Sequence, residues 1–86
     1  MPKTKKLKQQ TPEVVLIQTI GRVFRNRRAD LKMTLQDVAE KSGITYLTIS
    51  KLEKGDLTNL SLATLTAIAL ALGFETKVVF SGEVAQ

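Results

Sequence analysis

The stretch Thr34–Gly55, TLQDVAEKSGITYLTISKLEKG, decides the fold. Thr34 is placed to cap a helix, because its side-chain oxygen can accept a first-turn N–H. Leu35, Val38 and Ala39 follow at i, i+3 and i+4, which puts them on one helical face. Gly43 comes where a helix ending in a left-handed residue needs a backbone without Cβ. Ile44 re-enters the core, and Thr45 caps a second helix that buries Ile49 and Leu52. The other face of that second helix carries Tyr46, Leu47, Thr48, Ser50 and Lys51 and has no acid. The stretch therefore reads as two short helices around a tight turn, the second with a face suited to entering a groove.

Before it, Thr11-Pro12-Glu13 is a helix start: a cap, a proline at the first helical position, and an acid near the positive dipole end. Val14, Ile17 (with Leu16), Ile20, Val23, Phe24 and Leu31 then recur at roughly helical spacing, predicting a first helix over Pro12–Leu31. Its other face holds Arg22, Arg25 and Arg27. Gly21 costs about 1 kcal/mol inside a helix, so it marks a close packing contact. Residues 1–10 are lysine-rich without a period and read as a disordered arm, either tracking phosphates or simply solubilising the terminus.

After it, Gly55–Leu60 is a loop with turn formers Gly55, Asp56 and Asn59. Ser61 caps a fourth helix whose buried stripe is Leu62, Leu65, Ile68, Ala69 and Leu72, ended by Gly73. From Phe74 the period changes to two: Phe74, Thr76, Val78 and Phe80 alternate with Glu75, Lys77, Val79 and Ser81. A lone strand leaves its backbone groups unpaired, and no other run in the chain reads as a strand. The economical partner is the same strand of a second copy, antiparallel across a two-fold axis, with Glu75, Thr76, Lys77, Val78, Val79 and Phe80 as the seam. An edge that accepts another protein's strand, or a helical tail, is the alternative. The expected architecture is all-α: a basic arm (1–10), four helices (11–73), a C-terminal dimerisation strand (74–81) and a flexible tail (82–86).

Composition narrows the function classes. A chain of 86 residues, 43% hydrophobic, is one small domain that gains by oligomerising. With no Cys and no His it lacks thiol chemistry and the usual zinc ligands, and its eight acids are scattered singly. An enzyme is disfavoured, and neither cofactor nor metal is expected. The net charge of +5 is uneven: residues 1–33 carry nine cations against two acids, the remainder four against six. A basic half favours a polyanion partner through phosphate contact and counterion release. The longest apolar run, Ala67–Leu72, is far short of the ~18–20 residues that span a membrane, so a cytoplasmic protein is expected.

With these residues in view, the chain resembles the Xre-type helix-turn-helix family, which includes the lambdoid phage repressors and Cro. The resemblance covers roughly Ile20–Gly73 and is strongest in T-x-x-x-V-A-x-x-x-G-I-T-x-x-T-I-S-x-x-E-x-G, Thr34 to Gly55. Family members often carry glutamine where this chain has Leu35, and Gln36 one place later only partly restores a phosphate donor. An arginine late in helix one commonly pairs with the glutamate of E-x-G, which matches Arg28 and Glu53. Glu53 among apolar neighbours would in any case need a cation. Lambdoid repressors continue into a fifth helix, whereas four helices followed by a strand look like the HipB-type antitoxin-regulators. That likeness implies a homodimer on a pseudo-palindromic operator of double-stranded DNA, and a HipA-type kinase toxin as partner.

In a helix-turn-helix the second helix lies in the major groove and its N-terminal residues meet base edges. Tyr46, Leu47 and Thr48 would form the leading edge, with Ser50 and Lys51 one turn later. Lys51 can reach guanine O6 and N7, and Leu47 a thymine methyl. Thr34, Gln36, Thr45 and Lys54, at element ends, are better placed for phosphates, which position without specifying. Competing readings are a stand-alone repressor, or an interaction module docking a partner through the strand edge.

Overall fold

A computed structural model describes residues 11–75. Four helices follow in order: α1 Pro12–Asp30, α2 Leu35–Ser42, α3 Tyr46–Lys54 and α4 Leu62–Ala71. Each begins at a hydroxyl cap. Thr11, Thr34, Thr45 and Ser61 accept from the backbone N–H of Val14, Asp37, Thr48 and Thr64, respectively. At Thr34 the cap is reciprocal, since the Asp37 carboxylate also accepts the Thr34 N–H at 2.8 Å. Among the described residues there is no strand, and Phe74 and Glu75 lie in irregular backbone. The expected strand from Thr76 onward, the basic arm at 1–10 and the tail at 82–86 lie outside the described residues.

The core is one cluster of Ile17, Phe24, Val38, Ile49, Leu52, Ile68, Ala71 and Leu72, drawn from all four helices. Burying a side chain such as Ile49 or Leu52, both essentially inaccessible, contributes about 2–3 kcal/mol. α1 packs on α3, α3 on α2, and α2 on α4. The inward line of α1 is Val14, Ile17, Gly21 and Phe24, at alternating steps of three and four. Val23 and Leu31, expected on that line, are exposed instead. Val23 sits one residue, and thus 100° of rotation, off Phe24, and Leu31 lies past the last helical residue. In α4 the buried positions are Ile68, Ala71 and Leu72, with Leu65 and Ala69 half-buried. Leu62, expected in the stripe, stands exposed as the first residue of the helix.

Two contacts fix α3 on α1. At Gly21 the helices approach so closely that a Cβ would run into the Leu52 carbonyl oxygen and lie 3.0 Å from its carbon. Two turns along α1, Arg28 grips Glu53, the neighbour of Leu52, with two parallel bonds, Nε to Oε2 at 2.8 Å and Nη2 to Oε1 at 2.9 Å. A third bond runs from Arg28 Nη1 to the Met33 carbonyl at 2.9 Å, so one guanidinium ties α1, α3 and the α1–α2 turn together. The Glu53 carboxylate, bonded to Arg28, raises the guanidinium's pKa above its ordinary value against the opposing effect of burial. A raised pKa means this stability is complete at every pH below the ordinary arginine value, so the pairing is insensitive to pH near neutrality on the arginine side.

The turn between α1 and α2 is closed by Lys32 at φ 58°, with Lys32 N–H to Ala29 O and Met33 N–H to Arg28 O. A lysine thus occupies a left-handed position that glycine would take without strain.

These contacts set a measurable order of costs. Gly21→Ala forces backbone apart and should destabilise by about 3 kcal/mol. Gly43→Ala, where φ is 77° and nothing lies within 4 Å of the added Cβ, should cost only about 1 kcal/mol. Thermal melts of the two variants compare them directly, a kilocalorie being worth about 4–8 °C at this size. The ion pair is also asymmetric: the Glu53 side chain is 8% exposed and that of Arg28 20%. Arg28→Ala strands a nearly buried carboxylate and should cost about 3–5 kcal/mol. Glu53→Ala leaves a guanidinium that can still reach water and the Met33 carbonyl, and should cost less. Equal melting temperatures for these two variants would contradict the assignment.

Candidate nucleic-acid interface

α3 has nine residues, and its inward side, Ile49 and Leu52, is fully used by the core. Opposite them lie Tyr46, Leu47, Lys51 and Lys54, all exposed. Leu47 is 61% exposed and Tyr46 50%. Neither makes a core contact of the kind that explains a large apolar side chain in a short helix. Thr48 is half-buried on the flank.

Thr45 caps α3 as its spacing predicts, and its hydroxyl is committed twice. It accepts the Thr48 N–H at 3.3 Å and donates to Thr48 Oγ1 at 2.9 Å. The cap holds α3 firmly, and the outward groups there are the unpaired first-turn N–H groups rather than the threonine hydroxyl.

Ser50 departs from the sequence reading. It is 9% exposed and does not belong to the outer face. On the helical wheel position 50 falls between Tyr46 and Lys54, so its burial comes from the elements packed beside α3 and not from its rotation. There it lines a shallow hollow of about 280 Å³ with Arg25, Arg28, Leu35, Glu53 and Lys54. Glu53 is neutralised by Arg28, so the cations Arg25 and Lys54, both exposed, dominate that hollow. Among the described residues no salt bridge to either is present. Arg25 was visible in the sequence only as part of a basic helix face; the hollow places it beside α3.

The N-terminus of α2 is exposed at Thr34 and Gln36, the two phosphate candidates there. Both are already engaged. Thr34 Oγ1 accepts the Asp37 N–H at 3.0 Å, and Gln36 Nε2 donates to Glu40 Oε2 at 3.3 Å. The sequence reading missed the Asp37 box, although its signal, an acid three residues after a threonine cap, is present in T-L-Q-D.

The seam residues Thr76, Lys77, Val78, Val79 and Phe80 lie outside the described residues, and Glu75 ends them at an exposed position. No helix among the described residues is long and apolar enough to cross a membrane.

Two short capped helices, the second with a large exposed acid-poor face over cations, are the geometry of a major-groove reader. A family model described as helix-turn-helix matches residues 24–78, more than half of the chain. Comparisons with curated proteins and with solved structures gave no match. On that match and this geometry, the chain belongs to the Xre-type, Cro-like helix-turn-helix family of DNA-binding transcriptional regulators.

Proposed function

We propose that this chain is a dimeric, operator-binding repressor acting in the cytoplasm, of the kind that HipB-type antitoxins represent, regulating its own operon beside a HipA-type kinase toxin. The observation that carries the DNA-reading part is the outer face of α3. Tyr46 and Leu47 are large, apolar and exposed, Lys51 lies one turn on, and no acid interrupts them. In the major groove Leu47 packs on a thymine methyl and Lys51 donates to guanine O6 and N7. Tyr46 and Thr48 border them. The first-turn N–H groups that Thr45 leaves open on α3, and Lys54 with Arg25, contact phosphates, with Thr34 and Gln36 at α2 as weaker contacts; these set register without reading sequence. Ser50, being buried, leaves the base-reading set.

The dimer reading rests on the alternating run from Phe74 to Ser81 and on the small size of the core. Residues 75–80 pair with their two-fold copies, and the two α3 helices then meet half-sites about 34–36 Å apart, one turn of DNA. The basic arm at 1–10 adds phosphate contacts. A second reading, a module that docks a protein partner, is favoured by the exposed Leu62 and Leu70 of α4, which no described residue covers. An antitoxin performs both tasks, and a kinase-like gene immediately downstream would separate it from a stand-alone repressor.

Titrating wild-type and variant chains against an operator duplex, found by footprinting the chain's own upstream region, and against a scrambled duplex tests this. Lys51→Ala should lose about 1–3 kcal/mol of discrimination and little non-specific affinity. Arg25→Ala should weaken both duplexes alike and reduce the slope of log affinity against log salt by about one. Deleting residues 1–10 should lower that slope further. If Lys51→Ala discriminates like wild type, Lys51 leaves the base-contact list. Sedimentation at micromolar concentration should show a dimer that truncation after Glu75 turns into a monomer.

A further inference from the structure

Arg27 reads in the sequence as one of the outward cations of α1, yet it is half-buried and turned onto the end of α4. α4 stops with two backbone bonds, Gly73 N–H to Leu70 O and Phe74 N–H to Ala69 O, each 3.0 Å. Gly73 is left-handed between them at φ 84°. This ending occupies the Leu70 and Ala69 carbonyls and leaves that of Leu72 as an acceptor. Arg27 Nε donates to it at 2.9 Å. The same guanidinium lies over the Phe74 ring, 5.6 Å from its centroid. Phe74 also meets Phe24 of α1, with centroids 5.6 Å apart at 31°. A Cβ at Gly73 would come within 3.1 Å of Arg27 Nη2. One arginine therefore touches three consecutive residues, Leu72, Gly73 and Phe74, where the chain leaves the helical body.

This use excludes the others. Among the described residues Arg27 has no salt bridge to a carboxylate. Its Nε is taken, which removes the side-on Nε/Nη2 fork that grips a phosphate. Lysine could supply the charge, but not the flat stacking surface together with the Nε donor.

α1 also carries α3, through the Gly21–Leu52 approach and the Arg28–Glu53 pair. The direction of α3 and the placement of the chain at Leu72–Phe74 are therefore both set from the same helix. We infer that Arg27 is a positioning residue for DNA reading. It aims the C-terminal segment relative to α3 and so sets the separation of the two recognition helices in the dimer. The inference rests on the proposed dimer through residues 75–80.

The test uses the full chain and duplexes carrying two operator half-sites at centre separations varied base pair by base pair. Wild type should prefer one separation at least tenfold. Arg27→Lys and Arg27→Gln should both reduce that preference to under threefold, while single half-site binding keeps the same salt slope. Phe74→Leu, which retains the Nε bond but removes the ring, should relax the preference partway and covers the case in which an Arg27 variant fails to fold. A variant pair that keeps the wild-type spacing preference overturns the inference and leaves the dimer standing. A salt slope lowered by about one in Arg27→Gln but not in Arg27→Lys marks a phosphate ligand and overturns it as well. A wild type that sediments as a monomer and shows no spacing preference removes the dimer reading and the inference with it.

Discussion

α3 rests on α1 at a point where there is no room for a side chain, and the rest of the molecule depends on that approach. Because Gly21 lets the Leu52 carbonyl come against α1, Leu52 and Ile49 sink completely into the core. Their burial at 300° and 240° of a helical turn leaves the opposite arc of α3 outside. The outer face of Tyr46, Leu47 and Lys51 is thus a consequence of how deeply the inner face is seated. The Arg28–Glu53 pair locks rotation about that contact, since two parallel bonds between planar groups tolerate little twist. A short helix of nine residues has almost no stability of its own in water. Its orientation is a property of α1, of two caps and of one ion pair.

Three of the chain reversals use one device. After α1, α3 and α4 the chain passes through a left-handed residue, Lys32, Gly55 and Gly73, and the next N–H reaches back to close the last turn. At two of them a side chain adds a constraint: Arg28 to the Met33 carbonyl and Arg27 to the Leu72 carbonyl. Adjacent arginines on α1 thereby hold two different turns. The basic character of the late part of α1 is in good measure structural, and Arg22 and Arg25 are left as the exposed arginines of that helix.

How much was legible follows from the range of each interaction. Caps at Thr11, Thr34, Thr45 and Ser61 act across three residues, and all four were readable from the chain. So were the four helices and the close approach at Gly21, because a helix-interior glycine has a local cost that something must offset. The Arg28–Glu53 pair spans 25 residues, and its reading drew on the family resemblance together with the need of a buried carboxylate for a cation. Arg27 and the Leu72 carbonyl are 45 residues apart, and nothing in the spacing marks which of three arginines turns inward. Ser50, Val23 and Leu62 failed for a different reason. A serine on the outward arc and an apolar residue one step off the buried line have the same local pattern whether neighbours cover them or not.

The N-terminus of α2 is where the family resemblance and the local chemistry pull apart. A helix start with exposed N–H groups and a positive dipole end attracts phosphate. Here Asp37 answers the Thr34 N–H, and Glu40 holds the Gln36 amide. These acids stabilise an eight-residue helix that would otherwise fray, and they place negative charge beside the very groups a phosphate would approach. Leu35, at the position where relatives often carry glutamine, faces inward against the core and supplies no donor. The exposed cations on this side lie instead at Arg25 and Lys54, on the hollow that Leu35 and Ser50 line. Attraction of the backbone therefore shifts from the start of α2 toward the flank shared by α1 and α3, and the same two acids that make α2 a stable support make it a poorer phosphate clamp.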